Sequence, residues 1–235
     1  MSLPVAILAG GLATRLRPVT ETIPKALVEV AGRPFAVHQV ELLRQHDFRD
    51  VVWLVGYRAD QIVRELGDGS RWGMRFTYVH DGEVLLGTGG ALRRALPHLG
   101  AAFFVMYGDS YLECHFADVE RAFAESGRLA LMTVYRNDGQ YDTSNVQFED
   151  GRIVRYDKKV RTGAMHHIDW GLGVFRANVF ERYPVGSPFD LATVYQDLLA
   201  AGHLTGYDVP TRFYEIGSPA GIADTEAYLR RKVHG

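Results

Sequence analysis

Short apolar runs alternate with segments of helical period through the first part of the chain, and that alternation allows few folds. Pro4 to Leu8 reads as a buried strand, and Phe35 to His46 carries Phe35, Val37, Val40, Leu42 and Leu43 at helical spacing. Asp50 to Gly56 is a second strand, with Val51, Val52, Trp53, Leu54 and Val55 in succession. Ala59 to Leu66 is a helix that Gly67 stops, and Met74 to His80 is a third strand. Strand, helix, strand, helix, strand predicts an α/β fold, a mostly parallel, Rossmann-like sheet with helices on both faces. Ligands of such sheets sit beyond the carboxyl ends of the strands.

The first strand runs into a loop suited to that position. Gly10 and Gly11 follow it, and Arg15, Arg17 and Lys25 come soon after. Paired glycines let backbone N–H groups turn toward a ligand with no Cβ in the way. Amide donors and fixed positive charge together suit a polyphosphate. Two familiar phosphate loops are excluded. No Gly-Lys-Ser/Thr tripeptide occurs, and the third glycine of a dinucleotide fingerprint is replaced by Thr14.

Three later stretches extend the same edge. Gly87-Thr88-Gly89-Gly90 opens a helix running to Leu96, either as a second backbone-approach site or as a helix start made tight for packing. Ala102 to Tyr107 is a strand ending in Gly108-Asp109-Ser110. A carboxylate just past a buried strand is the short, hard, anionic ligand that Mg²⁺ requires, with helix capping as the alternative. Phe116 to Ser126 is helical and Leu129 to Tyr135 is a strand. Val146 to Glu149 and Ile153 to Tyr156, joined by Asp150-Gly151, form a β-hairpin insertion. Asn145, entering that hairpin, reads as a turn former that could also face a ligand. Val179 to Tyr183 and Ala192 to Ala201 are helical, Leu204 to Val209 is a strand, and Ala223 to Lys232 closes the chain as a helix. His166, His167 and Asp169 do not make a metal site, because adjacent strand residues face opposite ways.

Composition removes other classes. The 235 residues carry a formal charge of −2, which gives no electrostatic support to a nucleic-acid partner. One cysteine, Cys114, excludes an internal disulfide and a thiolate cluster, and is expected to be a partly buried small hydrophobe. No basic-then-apolar N-terminus occurs, and no apolar run reaches membrane-spanning length. The expectation is a cytoplasmic protein with no membrane partner, a homo-oligomer being left open. No linker or repeat divides the chain, so residues 1–235 are expected to be one domain.

Leu8-Ala-Gly-Gly-x-x-Thr-Arg-Leu-x-Pro-x-Thr, followed by Pro24-Lys25-x-Leu27-x-x-Val30 and Pro34, resembles the signature of sugar-1-phosphate nucleotidylyltransferases. The resemblance implies a nucleotide-diphospho-sugar transferase type of fold, and a reaction joining a nucleoside triphosphate to a sugar 1-phosphate with release of pyrophosphate. It puts Leu8, Gly10 and Gly11 beside the nucleotide, Arg15 on the leaving pyrophosphate and Lys25 on phosphate. Gly87 and Thr88 fall along the nucleobase. Glu83 could accept from the N1–H and amino group of guanine, or be solvated. Asp109 matches the metal-binding aspartate. Tyr214-Glu215-Ile-Gly-Ser-Pro resembles the stretch holding a second metal carboxylate, with Glu215 one methylene longer than the family's aspartate. Lys158 matches the lysine that binds the sugar phosphate, although Lys159 replaces the usual proline and leaves the register between the two lysines open. Asp169 and Gly171 fall on the sugar-facing strand. No hexapeptide repeats follow, so no C-terminal β-helix is expected. The Leu86 to Leu92 and Gly108 to Tyr111 stretches look closest to branches using GTP with mannose- or heptose-type sugars, with UTP and CTP branches sharing much of the pattern. A metal-dependent glycosyltransferase would show Asp-x-Asp, yet Tyr111 stands two past Asp109. A catalytically silent regulatory subunit would be expected to lose cations that Arg15 and Lys25 retain.

Overall fold

The computed structural model describes residues 3–12 and 14–234. In chain order the strands and helices begin with β1 (Val5–Ala9), the small ribbon β2 (Glu29–Val30) and β3 (Arg33–Pro34), α1 (Phe35–Gln45), β4 (Asp50–Val55), α2 (Ala59–Leu66) and β5 (Arg75–His80). They continue with α3 (Gly87–Ala95), β6 (Ala102–Tyr107), β7 (Ser110–Tyr111), α4 (Phe116–Ser126) and β8 (Ala130–Arg136). The hairpin β9 (Val146–Glu149) and β10 (Arg152–Tyr156) precedes β11 (His167–Arg176), α5 (Leu191–Ala200), β12 (Leu204–Asp208), β13 (Tyr214–Glu215) and α6 (Pro219–His234).

The sheet is the expected mostly parallel one. β1 lies between β4 and β6, with Val5 opposite Val51 and Phe104, and β5 pairs with β4 on the outside. β11 runs antiparallel to both β6 and β8, and β12 is parallel to β8. The hairpin joins through Val146 opposite His167. Thus β5, β4, β1, β6, β8, β12 and β9 point one way, and β11 and β10 the other. The reversal of β11 follows from its connection. No crossover helix separates β8 from the hairpin, so the chain enters β11 at the same sheet edge where it left β8.

Alternation along the strands splits the core in two. Val5 and Ile7 face a layer holding Phe35, Val40, Ile62, Val119, Phe123 and Leu229, so α1, α2, α4 and α6 cover that face. Ala6, Leu54 and Phe103 face Leu92, Val194 and Leu198 of α3 and α5. Both faces are covered, as parallel strands that read as continuous apolar runs require.

Three details depart from the pattern read along the chain. The segment after β11 is a short 3-10 turn, Ala177–Phe180, instead of a helix over 179–183, because Pro184 forces the residue before it out of helical conformation. α6 begins at Pro219, earlier than Ala223, with proline in the first turn where its missing N–H costs nothing. A two-stranded ribbon of β7 and β13 pairs Ser110 with Glu215, a long-range pairing too short to carry a periodicity. Cys114 is half-buried, and burial pushes its thiol up to about 12. Among the described residues no helix is long and apolar enough to cross a membrane.

Candidate active site

A cavity of about 280 Å³ opens at the carboxyl ends of the parallel strands. Its lining includes Leu8, Gly10, Gly11, Lys25, Asp81, Gly87, Thr88 and Asp109, contributed by the ends of β1, β5 and β6, the opening of α3 and, for Lys25, a 3-10 turn over Lys25–Leu27. These strands end at one edge because they are parallel and in register, so loops far apart in sequence converge there. Gly11 has no internal reason to be glycine: among the described residues, nothing lies within 4 Å of where its Cβ would stand.

The charged end of the cavity is built around one ion pair. Lys25 Nζ donates to Asp109 Oδ2 at 2.6 Å, with both side chains partly buried. The ribbon of β7 and β13 brings Glu215 beside them, and Ile216 N donates to Asp109 O at 2.9 Å. Gly217 marks the meeting point, since a Cβ there would stand 3.1 Å from both Arg15 Nη2 and Lys25 Nζ and would also meet Glu215 Oε2. Arg15, Lys25, Asp109 and Glu215 are therefore gathered from three separate segments. The Glu215 carboxylate is turned toward the start of α6, where it accepts from Gly217 N and, at 3.1 Å, from Ser218 Oγ. Mg²⁺ takes one or two protein carboxylates and fills its remaining positions with water and phosphate oxygens. Asp109 and Glu215 fit that donor set in number and hardness.

The apolar end differs from what the glycine motif suggests. A Cβ at Gly87 would stand 2.7 Å from Phe189 O, one at Gly90 2.6 Å from Ser187 O, and one at Gly89 would strike the Phe189 ring. Gly89 N and Gly90 N donate to Phe189 O at 2.9 and 3.3 Å. The helix start is thus tight in order to seat the chain's own 187–190 segment, the packing alternative left open above. Gly87 and Thr88 do line the cavity, but the Thr88 hydroxyl is already engaged. It donates to Asp190 Oδ1 at 3.3 Å and accepts from Leu191 N at 2.8 Å. Glu83 is exposed and lies outside the lining residues. Asp81 stands in the cavity instead, only 6% exposed. Its Oδ2 accepts one long bond from Leu86 N at 3.4 Å, while Arg94 donates to the backbone carbonyls of His80 and Asp81. Burial raises the Asp81 carboxyl above the ordinary carboxylate range.

Beyond the hairpin, Lys158 Nζ donates to Tyr107 OH at 3.3 Å and lies 3.9 Å from Asp190 Oδ1. Lys159 is exposed, its backbone N–H donating to Asp157 Oδ1 at 2.8 Å. Asp169 sits at an irregularity of β11, where the register shifts between Asp169 and Gly173. Gly171 there has φ +101°, a conformation that L side chains rarely adopt, and its N–H donates to Asp169 Oδ1 at 3.1 Å. Such a bulge re-aims a side chain. Tyr156 OH donates to Asp169 Oδ2 at 3.3 Å, and Asn145 Oδ1 accepts from Asp169 N at 2.9 Å. Asn145 therefore ties the hairpin to β11. Burial raises the Asp169 carboxyl, opposed first by the nearby Lys158 charge.

Asp81 and Gln39 escaped the sequence reading. Asp81 follows the last residue of β5 directly, as Asp109 follows β6 after one glycine, and a carboxylate just past a strand was the available signal. Gln39 lies fully buried on α1 and donates to Tyr107 O at 3.0 Å and Ser110 O at 2.8 Å, bracing the turn that carries Asp109. Its signal was an uncharged polar residue in the apolar stripe of an otherwise regular helix.

The sheet order and this carboxyl-edge cavity define an α/β protein with a ligand crevice at its strand ends, and comparison with known proteins makes the class specific. Residues 5–197 match the nucleotidyl transferase family, to which the chain belongs. It is similar to a mannose-1-phosphate guanylyltransferase catalytic subunit beta of Drosophila pseudoobscura pseudoobscura, 31% identical over 91% of this chain and 58% of that protein. A glucose-1-phosphate thymidylyltransferase of Streptomyces antibioticus is 35% identical over 66% of this chain and 44% of its own length. The chain thus spans about half of these relatives. Among solved structures, a putative glucose-1-phosphate thymidylyltransferase from Bacillus anthracis, in complex with a sucrose, shares the fold with a TM-score of 0.87. It is 22% identical, with 97% of this chain and 96% of that one covered.

Proposed function

We propose that the chain joins a nucleoside triphosphate to a sugar 1-phosphate, giving a nucleotide-diphospho-sugar and pyrophosphate. The observation that carries this reading is the Lys25–Asp109 pair at 2.6 Å, with Arg15 and Glu215 beside it, at the charged end of a cavity whose other end is apolar. A triphosphate needs cations and amides at one end and an apolar slot for its base at the other. A sugar phosphate oxygen is already an anion, so attack on the α-phosphorus needs no general base. The work is bringing two anions together in line and stabilising charge on the leaving group.

In this reading Arg15 holds the departing pyrophosphate, Lys25 the reacting phosphate and Lys158 the phosphate of the sugar. Leu8, Gly10 and Gly11 approach the nucleotide through backbone, and Asp169 and Gly171 face the sugar. Asp109, with Glu215, would hold Mg²⁺, which when bound neutralises phosphate charge. Lys25 exchanges its bond to Asp109 for one to phosphate as the triphosphate enters.

GTP is the nucleotide we favour, with a mannose- or heptose-type 1-phosphate. Asp81 supports the base, as a buried carboxylate in the cavity whose bond from Leu86 N is long. Guanine offers two adjacent donors, N1–H and the 2-amino group, which a carboxylate can accept together. Uracil and thymine flank their single N–H with carbonyls that would face the same oxygens. The similarity to a mannose-1-phosphate guanylyltransferase supports the sugar. Incubation with each of four nucleoside triphosphates, Mg²⁺ and a panel of sugar 1-phosphates, following pyrophosphate, tests the reading. Release with GTP and a mannose- or heptose-type phosphate is expected. No release with any pair overturns the reaction, and release only with UTP, CTP or TTP overturns the base assignment.

A further inference from the structure

Asp190 is the first turn's capping residue for α5, and its Oδ1 accepts from Ala192 N at 2.8 Å. A cap needs no more than that, and asparagine caps as well as aspartate. The same oxygen also receives the Thr88 hydroxyl at 3.3 Å and stands 3.9 Å from Lys158 Nζ. Leu191 N donates back to Thr88 Oγ1 at 2.8 Å, and Phe189 N donates to Leu86 O at 3.0 Å. Thr88 opens the helix on the nucleotide side of the cavity, and Lys158 follows the hairpin on the other side. One exposed carboxylate therefore touches a group from each half.

We infer that Asp190 is a positioning residue that ties the two half-sites together, fixing Thr88 at the base end and holding Lys158 in place for the sugar phosphate. The inference rests on the reaction proposed above. A lysine side chain free to sample its rotamers loses conformational entropy when a ligand orders it. Asp190 and Tyr107, one from each side, restrict Lys158 before the phosphate arrives. The role of the charge separates from that of the cap. Asparagine keeps an oxygen for Ala192 N and Thr88 but gives Lys158 no ionic partner, whereas alanine removes all three contacts.

The test compares Asp190→Asn and Asp190→Ala with the wild-type protein. Asp190→Asn should unfold at the wild-type temperature. Its kcat/KM for the sugar 1-phosphate should fall about two- to five-fold, the size of an exposed ion pair, with the KM for the nucleotide unchanged. Asp190→Ala should unfold earlier and raise the nucleotide KM as well, because Thr88 loses its acceptor. Labelling with an amine-selective reagent, read by peptide mass spectrometry with Lys159 as the internal standard, needs no turnover. Lys158 should be labelled about two- to five-fold faster in Asp190→Asn. Wild-type labelling, or kcat/KM for the sugar phosphate unchanged or higher in Asp190→Asn while wild-type protein turns over, overturns the inference and leaves Asp190 a helix cap. If wild-type protein releases no pyrophosphate, the reaction reading fails separately, and Lys158 labelling alone decides whether the tie exists.

Discussion

On the side of the crevice proposed for the nucleotide, Gly10, Gly11, Arg15 and Lys25 follow β1 within one continuous stretch. On the side proposed for the sugar phosphate, Asn145, Lys158, Asp169 and Asp190 come from four separated segments and meet through contacts such as Lys158 with Asp190 and Asp169 N with Asn145. In the first region Lys25 has a distant partner in Asp109, while Arg15 and Gly11 stay exposed on the local loop. The second is held by partners: Asp169 has Tyr156, Gly171 and Asn145 around it before any sugar arrives. A loop presents groups for a ligand to organise, while a network organises its groups in advance and bears the cost of burying charge.

The largest effect that could break this comparison lies on the nucleotide side. Lys25→Ala should lower kcat by about 10²–10³, the loss of one preorganised charge contact at a reacting centre. Near-normal turnover would remove Lys25 from the chemistry. Within the same region, Asp81→Asn should lower the preference for GTP over UTP about ten-fold, because the new amide sets a donor against guanine's donors and leaves a buried group mispaired. Competition assays with both nucleotides measure it, and an unchanged ratio would return the base end to backbone recognition alone.

Asp169→Asn sharpens the other half through stability. Burial raises the native carboxyl, so the native state binds its proton more tightly than the unfolded chain does. The stability tied to that proton is present below the unfolded carboxyl value of about 3.9 and is lost as pH rises through the folded value. Asparagine does not ionise. The variant should therefore be more stable than wild type at neutral pH, with the difference shrinking toward pH 4. Thermal unfolding across that range reads it, and a variant less stable at pH 7 would mean that the ionised carboxylate is a net support of the bulge. The smallest effect belongs to Glu83→Gln. It should leave nucleotide preference and stability unchanged, since Glu83 is exposed and outside the cavity.

The chain by itself determined the order of strands and helices, the loop after β1 and the carboxylate after β6. Each of these is written in adjacent residues, whose period or steric freedom acts locally. It also placed Lys158, Asp169 and Gly171 near one another through the family resemblance. Distance in sequence limited the rest. Glu83 was read either as a guanine acceptor or as solvated, and the fold decides for solvent: Glu83 is exposed while Asp81 lines the cavity. The glycines of 87–90 carried the right location for a reason only the fold supplies, since the atom that crowds them lies a hundred residues away. Gln39 under the Asp109 turn, Asp190 between Thr88 and Lys158, and the choice of Lys158 over Lys159 for the Tyr107 contact follow the same rule. A hydrogen bond needs two partners within about 3 Å, and no local pattern records where a distant partner will arrive.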